Sequence, residues 1–265
     1  MDKNVSVFIF TFSDNFEFIK NFIISKGIQV VNDVSECTCI LAIGGDGTII
    51  GARKFGIHFS KPIMGYNEGT LGFLSCTSDK DELVDILINE KYVIQERKLL
   101  SVFLADTILP EMPKSFCLNE ITIESKHRGK IADIYLKILN SNEKIEYHAD
   151  KIIFSTTTGS TAYNLSAGGP ILHPDLKGMV ITPLGAFSMT ARSIVIPDDY
   201  EIEISSPDDL FIKIDNRGDY IINKNSLIKI QYDGTFIKLM MKDYRFFKII
   251  EDKLQWNTHL KARKY

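Results

Sequence analysis

The feature that most limits the folds open to this chain is a change of hydrophobic period near residue 92. Before it, short apolar runs alternate with stretches of helical spacing. Val5 to Phe10 reads as a strand, and Asp14 with Glu17 makes a capping box for a helix carrying Phe18, Ile19, Phe22 and Ile23 on one face. Gly27 stands where such a helix stops. Cys39 to Ile43, a glycine loop, a short helix ending near Gly56 and the run Pro62 to Tyr66 follow as a β-α-β pattern, which favours a parallel sheet. Ser78 and Asp81 open a further helix in which Leu83, Val84, Ile86 and Leu87 recur at helical spacing.

Beyond residue 92 the runs shorten and partly alternate. Tyr92 to Ile94, Leu99 to Leu104, Glu120 to Glu124, Ile131 to Leu139, Lys151 to Phe154, Ile202 to Ser205, Phe211 to Asp215, Leu227 to Tyr232 and Phe236 to Met240 read as strands between Gly, Asn, Asp or Pro turns. Many short strands separated in this way indicate a β-sandwich. Helical spacing returns at Phe246, Phe247, Ile249, Ile250 and Leu254. The expected architecture is therefore an N-terminal α/β domain with a parallel sheet over residues 1–95 and a C-terminal β-sandwich domain over 96–241. A C-terminal segment over 242–265 forms a helix that packs back on the N-terminal domain.

Composition narrows the partners. A chain of 265 residues with a net charge of -3 has no basic excess to attract nucleic acid or an acidic membrane, so a small ligand is expected. Cys37, Cys39, Cys76 and Cys117 show neither zinc-type nor redox-type spacing and read as small buried hydrophobes of a reducing compartment. The start Met1-Asp2-Lys3-Asn4 lacks the pattern of a secretory leader, and no apolar run approaches a membrane span. A cytoplasmic protein is expected.

Two stretches carry chemistry. Gly44-Gly45-Asp46-Gly47-Thr48 follows the apolar run Cys39 to Ile43, so its carboxylate lies at the carboxyl end of a strand, where open α/β sheets bind ligands. Glycines there let a phosphate approach the backbone, although Asp-Gly is equally the signature of a tight turn. The second stretch, Thr156 to Pro170, concentrates small hydroxyl residues and glycines whose N–H and O–H groups suit phosphate or ribose oxygens; by composition alone it is also an ordinary loop.

Taken together, these stretches closely resemble the NAD kinase family. The matching pieces are Gly44 to Thr48, Pro62 to Asn67 with Gly69, Leu71 to Leu74, Asn119-Glu120, Ser155 to Pro174 and Thr182-Pro183, in order along the chain; Phe246 to Trp256 is similar to the family's C-terminal segment. Diacylglycerol-type lipid kinases and phosphofructokinases carry glycine loops related to the first piece, whereas the Thr158 to Pro174 block is specific. The resemblance implies transfer of the γ-phosphoryl group of ATP to the 2′-hydroxyl of the adenosine ribose of NAD, with a divalent metal ion, usually magnesium. It also implies an α/β domain followed by a β-sandwich, and homodimers or homotetramers.

The same resemblance implies residue roles. Asp46 is set against the reacting hydroxyl, which it orients and whose proton it accepts as transfer proceeds. Gly45 and Gly47 admit nucleotide phosphates. Phe73, Asn119 and Glu120 bind the dinucleotide, Thr161, Ala162, Tyr163 and Ser166 enclose adenosine, Asp150 serves the nicotinamide end, and Asp215 matches an aspartate late in the family's site. The chain departs from the family pattern at Ala149 and Lys151, which flank Asp150 where glycines are usual, at His148 for arginine, at Phe187 in Gly185-Ala186-Phe187-Ser188, and at Asn216 for glycine. Alanine at 149 puts a positive φ there in doubt. The histidines His58, His127, His148, His173 and His259 are too dispersed to form a metal site, so magnesium is expected on ATP phosphates, water and one or two carboxylates that the sequence does not name. The competing readings are a lipid kinase, which leaves the Thr158 to Pro174 block unexplained, and a dinucleotide sensor without turnover, which has no need of Asp46.

Overall fold

Cys39–Ile43 (β3) is buried at every position, as a strand covered on both faces must be. It lies parallel to Ser6–Thr11 (β1) and Ile63–Tyr66 (β4), while β1 also lies parallel to Gln29–Val31 (β2), giving the order β2-β1-β3-β4. Because the chain runs from β1 outward to β2 and returns on the other side as β3, the carboxyl ends of β1 and β3 flank the reversal point, where such sheets leave a crevice. This computed structural model describes residues 5–13, 16–67, 69, 72–105, 114–127, 129–243 and 246–255. They divide into two compact units, Met1–Glu96 with Ile237–Tyr265, and Arg97–Phe236.

Three helices accompany the first sheet. Glu17–Ser25 (α1) buries Ile19 and Ile23, one helical turn apart, and leaves Phe18 exposed, so the apolar face is narrower than the sequence pattern suggests. Asp14 lies outside the described residues; the helix is entered at Phe16, with no side-chain cap. Gly27 ends it in the left-handed conformation, at φ 84°. Asp46–Phe59 (α2) continues past Gly56 to a left-handed Ser60, because Gly56 sits inside the helix against the Ile63 side chain rather than terminating it. Lys80–Ile88 (α3) is capped by Asp79, not Ser78: the Asp79 carboxylate accepts from the Asp81 and Glu82 amides. Val7, Ile19, Ile23, Leu41, Met64 and Leu83 form the core of this unit.

The second unit is antiparallel. Its strands are residues 97–104 of Val93–Leu104 (β5), Ser115–Cys117 (β6), Glu120–Ser125 (β7), Ala132–Ile138 (β8), Glu143–Ala149 (β9), Lys151–Ser155 (β10), Gly178–Leu184 (β11), Ile194–Pro197 (β12), Ile202–Ser205 (β13), Leu210–Ile214 (β14), Arg217–Ile222 (β15) and residues 228–236 of Ile228–Met241 (β16), with a helical turn Tyr163–Ser166 (α4); the remaining residues of β5 and β16 belong to the first unit. One layer has the order β12-β11-β10-β7-β14-β15; the other joins β16, β13, β8 and β9, with β5 pairing with β16 and β6 with β5. Alternate residues of both layers, among them Ile134, Leu136, Ile121, Ile152, Phe154 and Ile212, meet in one apolar core. A β-sandwich is what the alternation requires.

Two sequence expectations change here. The runs at 92–94 and 99–104 are parts of one strand, β5, and those at 227–232 and 236–240 are parts of β16, where Gly234 absorbs the irregularity at φ 86°. Leu239 and Met240 at the end of β16 pair in parallel with Ile63 and Met64 of β4, and Phe246–Leu254 (α5) then buries Ile250. Among the described residues no helix is long and apolar enough to cross a membrane.

Candidate active site

In the first unit the chemistry-bearing loop grows directly from β3. Gly44 donates its amide to the Tyr66 carbonyl at 2.8 Å, which carries the sheet ladder one residue past the strand. Gly45 caps α2, and Asp46 is the first residue of that helix. Its carboxylate is held by the loop after β4: the Phe73 amide donates to Oδ2 at 2.9 Å, the Leu74 amide to Oδ1 at 3.2 Å, and the Ser75 hydroxyl to Oδ1 at 3.3 Å. Gly72 lies so close that a Cβ there would overlap the Asp46 carboxylate. Gly72 belongs to the pieces that match the family, and its role is this close approach. Phe73, expected near the dinucleotide, enters the geometry through its amide, with a half-buried side chain. Gly45 and Gly47 are exposed, and a Cβ at either would meet nothing within 4 Å. An ionised carboxylate has about four acceptor positions, so Asp46 keeps capacity to accept from a ligand hydroxyl.

In the second unit Asn119, Glu120 and Asp215 lie around the start of β7, whereas Asp150 lies by its far end, next to the Lys151 that faces Glu124. Asp215 and Asn216 form the two-residue turn from β14 to β15, both left-handed at φ 49° and 56°, a conformation Asn and Asp tolerate better than other side chains. This turn aims the Asp215 carboxylate at the chain before β7, where it accepts from the amides of Leu118 at 3.0 Å, Asn119 at 2.7 Å and Glu120 at 3.3 Å. Glu120 itself is 4% exposed, and its Oε2 has no hydrogen-bond partner. Burial, with Asp215 beside it, pushes the Glu120 carboxyl up to about 7, opposed by the hydrogen bond it accepts from the Tyr163 amide. Glu120 thus touches Asp215 through its backbone and Tyr163 through its side chain.

The hydroxyl-rich block is mostly committed to its own backbone. Thr156 donates to the Leu118 carbonyl at 2.6 Å, Thr157 to Pro174 at 3.0 Å and Ser160 to Thr157 at 2.7 Å. Asn164, fully buried, donates to the carbonyls of Ser160 and Pro170, both at 3.1 Å, and accepts from the Thr182 hydroxyl at 2.7 Å. These are scaffolding contacts that composition could not separate from ligand contacts. Thr161, Ala162 and Tyr163 are half-buried and Ser166 is exposed, so they form the accessible side of the block.

Asp150 is exposed beside a cleft of about 610 Å³ that is also lined by Lys126, Lys130 and Lys213, cations paired with Asp209, Asp208 and Glu124 respectively. None of Ala149, Asp150 and Lys151 has a positive φ, so the departure from glycine at 149 costs no strain; the left-handed residue is Gly185, at φ 62°, whose Cβ would overlap Asp150. His148 pairs with Asp133 at 2.6 Å and packs edge-on against Phe187, with ring centroids 5.7 Å apart. All four cysteines are free and buried, and burial pushes the Cys39 and Cys76 thiols up to about 12. Among the described residues no group of three or more His, Cys, Asp or Glu is placed to hold a metal ion.

Comparison with known proteins finds two family models that match this chain. The ATP-NAD kinase N-terminal domain model matches residues 21–92, and the ATP-NAD kinase C-terminal domain model matches residues 118–238. The chain is 37% identical to the NAD kinase of Flavobacterium johnsoniae over 82% of its length and 75% of that protein's. It is 32% identical to the NAD kinase of Sulfurimonas denitrificans over 88% and 82%. In fold it is similar to yeast NADH kinase solved with NADH, with a TM-score of 0.82 at 20% identity over 96% of this chain and 89% of that one. It is also similar to an NAD kinase from Archaeoglobus fulgidus solved with ATP, with a TM-score of 0.76 at 21% identity over 93% and 97%.

Proposed function

We propose how individual residues serve a chain that belongs to the NAD kinase family, and that membership is the premise of every role below. As an NAD kinase it transfers the γ-phosphoryl group of ATP to the 2′-hydroxyl of the adenosine ribose of NAD, giving NADP and ADP. We assign that hydroxyl to Asp46. A carboxylate is too weak a base to ionise a sugar hydroxyl in the ground state, but phosphoryl transfer has a loose transition state in which positioning and charge dominate and the proton can leave late. Asp46 accordingly orients the O–H and takes its proton as the new O–P bond forms. The observation that carries this reading is the fixation of its carboxylate by the Phe73 and Leu74 amides and the Ser75 hydroxyl, since a group held in place supplies orientation without paying for it during the reaction.

The open space at Gly45 and Gly47, at the N-terminus of a helix of 14 residues, suits the triphosphate of ATP. The donor is the magnesium complex of ATP, a substrate rather than a resident ion; magnesium needs only one or two protein carboxylates besides phosphate and water, and Asp46, already committed to the ribose hydroxyl, is not assigned to it. Asn119, Glu120, Thr161, Ala162, Tyr163 and Ser166 receive the adenosine of NAD, and Asp150 its nicotinamide end. Asp215 supports Asn119 and Glu120 through the amides it accepts from. The protein is assigned to the cytoplasm, and to a homodimer or homotetramer, an oligomeric state that light scattering tests.

Purified protein with ATP, magnesium and NAD, followed by a coupled readout of NADP, tests the chemical assignment. Asp46→Asn is expected to keep NAD binding and to form NADP roughly 10²–10⁴ times more slowly. Turnover at the wild-type rate in that variant overturns the role of Asp46.

A further inference from the structure

Lys151 stands where the family's Gly-Asp-Gly sequence would place its second glycine, and it is not an idle replacement. It opens β10 directly opposite Glu124 of β7. Its Nζ lies 2.9 Å from Glu124 Oε2, while Lys213 from β14 holds Oε1 of the same carboxylate at 3.3 Å. The Lys151 and Glu124 side chains are only 18% and 23% exposed. Burial works against both charges, yet the pairing outweighs it: Lys151 is held above its ordinary pKa and Glu124 below its own. A lysine is otherwise a mobile side chain, and here it is an anchored cation.

From that anchor Lys151 reaches Tyr163. Its Nζ lies 3.5 Å from the phenol oxygen and 5.2 Å from the ring centroid. The backbone amide of the tyrosine faces the Glu120 carboxylate and favours its ionised form. Such ties matter because α4 is a single turn of 4 residues, too short to hold a side chain in place by itself.

We propose that Lys151, anchored by Glu124, is a positioning residue that fixes the Tyr163 ring in the orientation in which adenosine packs against it. This rests on the assignment of Tyr163 to adenosine made above. The alternative is that the pair only adds stability, which for a partly exposed ion pair is small. A positioning role instead shows up in NAD binding and leaves the chemical step alone.

The test is steady-state kinetics on the full-length protein, varying NAD and ATP separately, with thermal melting of each variant. Lys151→Met is expected to raise KM for NAD about five- to tenfold, with KM for ATP and kcat within about twofold of wild type. Lys151→Arg should restore KM, because a guanidinium also pairs with a carboxylate and stacks on an aromatic ring. In a Tyr163→Ala background, Lys151→Met should add nothing. If Lys151→Met melts below the assay temperature, Glu124→Gln, which frees the lysine without removing it, must show the same split. A raised KM in Tyr163→Ala with no change in Lys151→Met, or with the full lysine effect added on top, overturns the positioning role and leaves the adenosine assignment standing. An unchanged KM in Tyr163→Ala overturns both.

Discussion

The two units each present a carboxylate to the candidate chemistry, and they treat it in opposite ways. Asp46 is half-exposed at the start of a helix and accepts from two amides and a hydroxyl. Glu120 is almost wholly buried, with one oxygen unpaired and the Asp215 carboxylate bonded to the amide of its own residue. Donors stabilise an anion, whereas desolvation and a like charge favour the neutral acid. The first arrangement therefore fixes a carboxylate in place, and the second holds a proton near neutral pH. One fold can host both because strand-end loops are free to choose their surroundings, while the strands beneath them are not.

The largest expected effect tests the first half of that contrast. Asp46→Asn should lower kcat by roughly 10²–10⁴-fold, and the structure adds a cost in stability: an Asn amide must face one of the backbone donors, which costs about 1–2 kcal/mol and is read by denaturant unfolding. Equal stability together with full turnover would remove both roles at once.

Glu120→Gln tests the second half. With its folded pKa near 7 and an ordinary value of 4.5, Glu120 binds its proton more tightly when folded. Its contribution to stability is full below pH 4.5 and is lost as the pH rises to about 7, on the order of 3 kcal/mol for a shift of this size. Surface carboxylates behave oppositely: Glu82, bound by Lys242 and Thr77, has a lowered pKa, and its contribution is lost only as the pH falls below the unfolded value of 4.5. The interval between pH 4.5 and 7 is thus where Glu120 acts alone among these groups. In Glu120→Gln the fall in unfolding free energy across that interval should largely disappear. A slope unchanged from wild type would show that Glu120 is ionised in the folded protein.

The units also differ in how far their sequences could be read. Cys39 to Ile43 followed by Gly44-Gly45-Asp46 announces a buried strand and a loop at its carboxyl end, because that information is local. The fixation of Asp46 is not local: Phe73, Leu74 and Ser75 approach it only after another strand has returned the chain. In the second unit, β9 has little apolar content to mark it, with only Tyr147 and Ala149 buried, and β15 is hidden behind the Asp215-Asn216 turn. The Thr156 to Pro170 block was legible as a special segment. Which of its polar groups face inward was not, since the same hydroxyl can donate to a carbonyl of its own chain or to a ribose, and only the packing decides.

Asn164 sharpens that last distinction. It makes three hydrogen bonds, fully buried, to Ser160, Pro170 and Thr182. Asn164→Ala should lower stability by about 2–3 kcal/mol, because it leaves buried partners unsatisfied. A urea titration measures this, and a loss below about 0.5 kcal/mol would mean that water replaces the amide.

Gly47→Ala is the smallest change and separates stability from function in the first unit. Gly47 lies in the first turn of α2, its φ is not positive, and an added Cβ would meet no atom of the protein within 4 Å. Nothing in the folded chain therefore requires glycine there, and alanine should stabilise the helix by up to about 0.5–1 kcal/mol. If the space is kept for ATP phosphates, the same methyl group intrudes on the ligand, and KM for ATP should rise while the melting temperature rises with it. A more stable protein with an unaltered KM for ATP would place the phosphates elsewhere, and the glycine would then have no function that the structure explains.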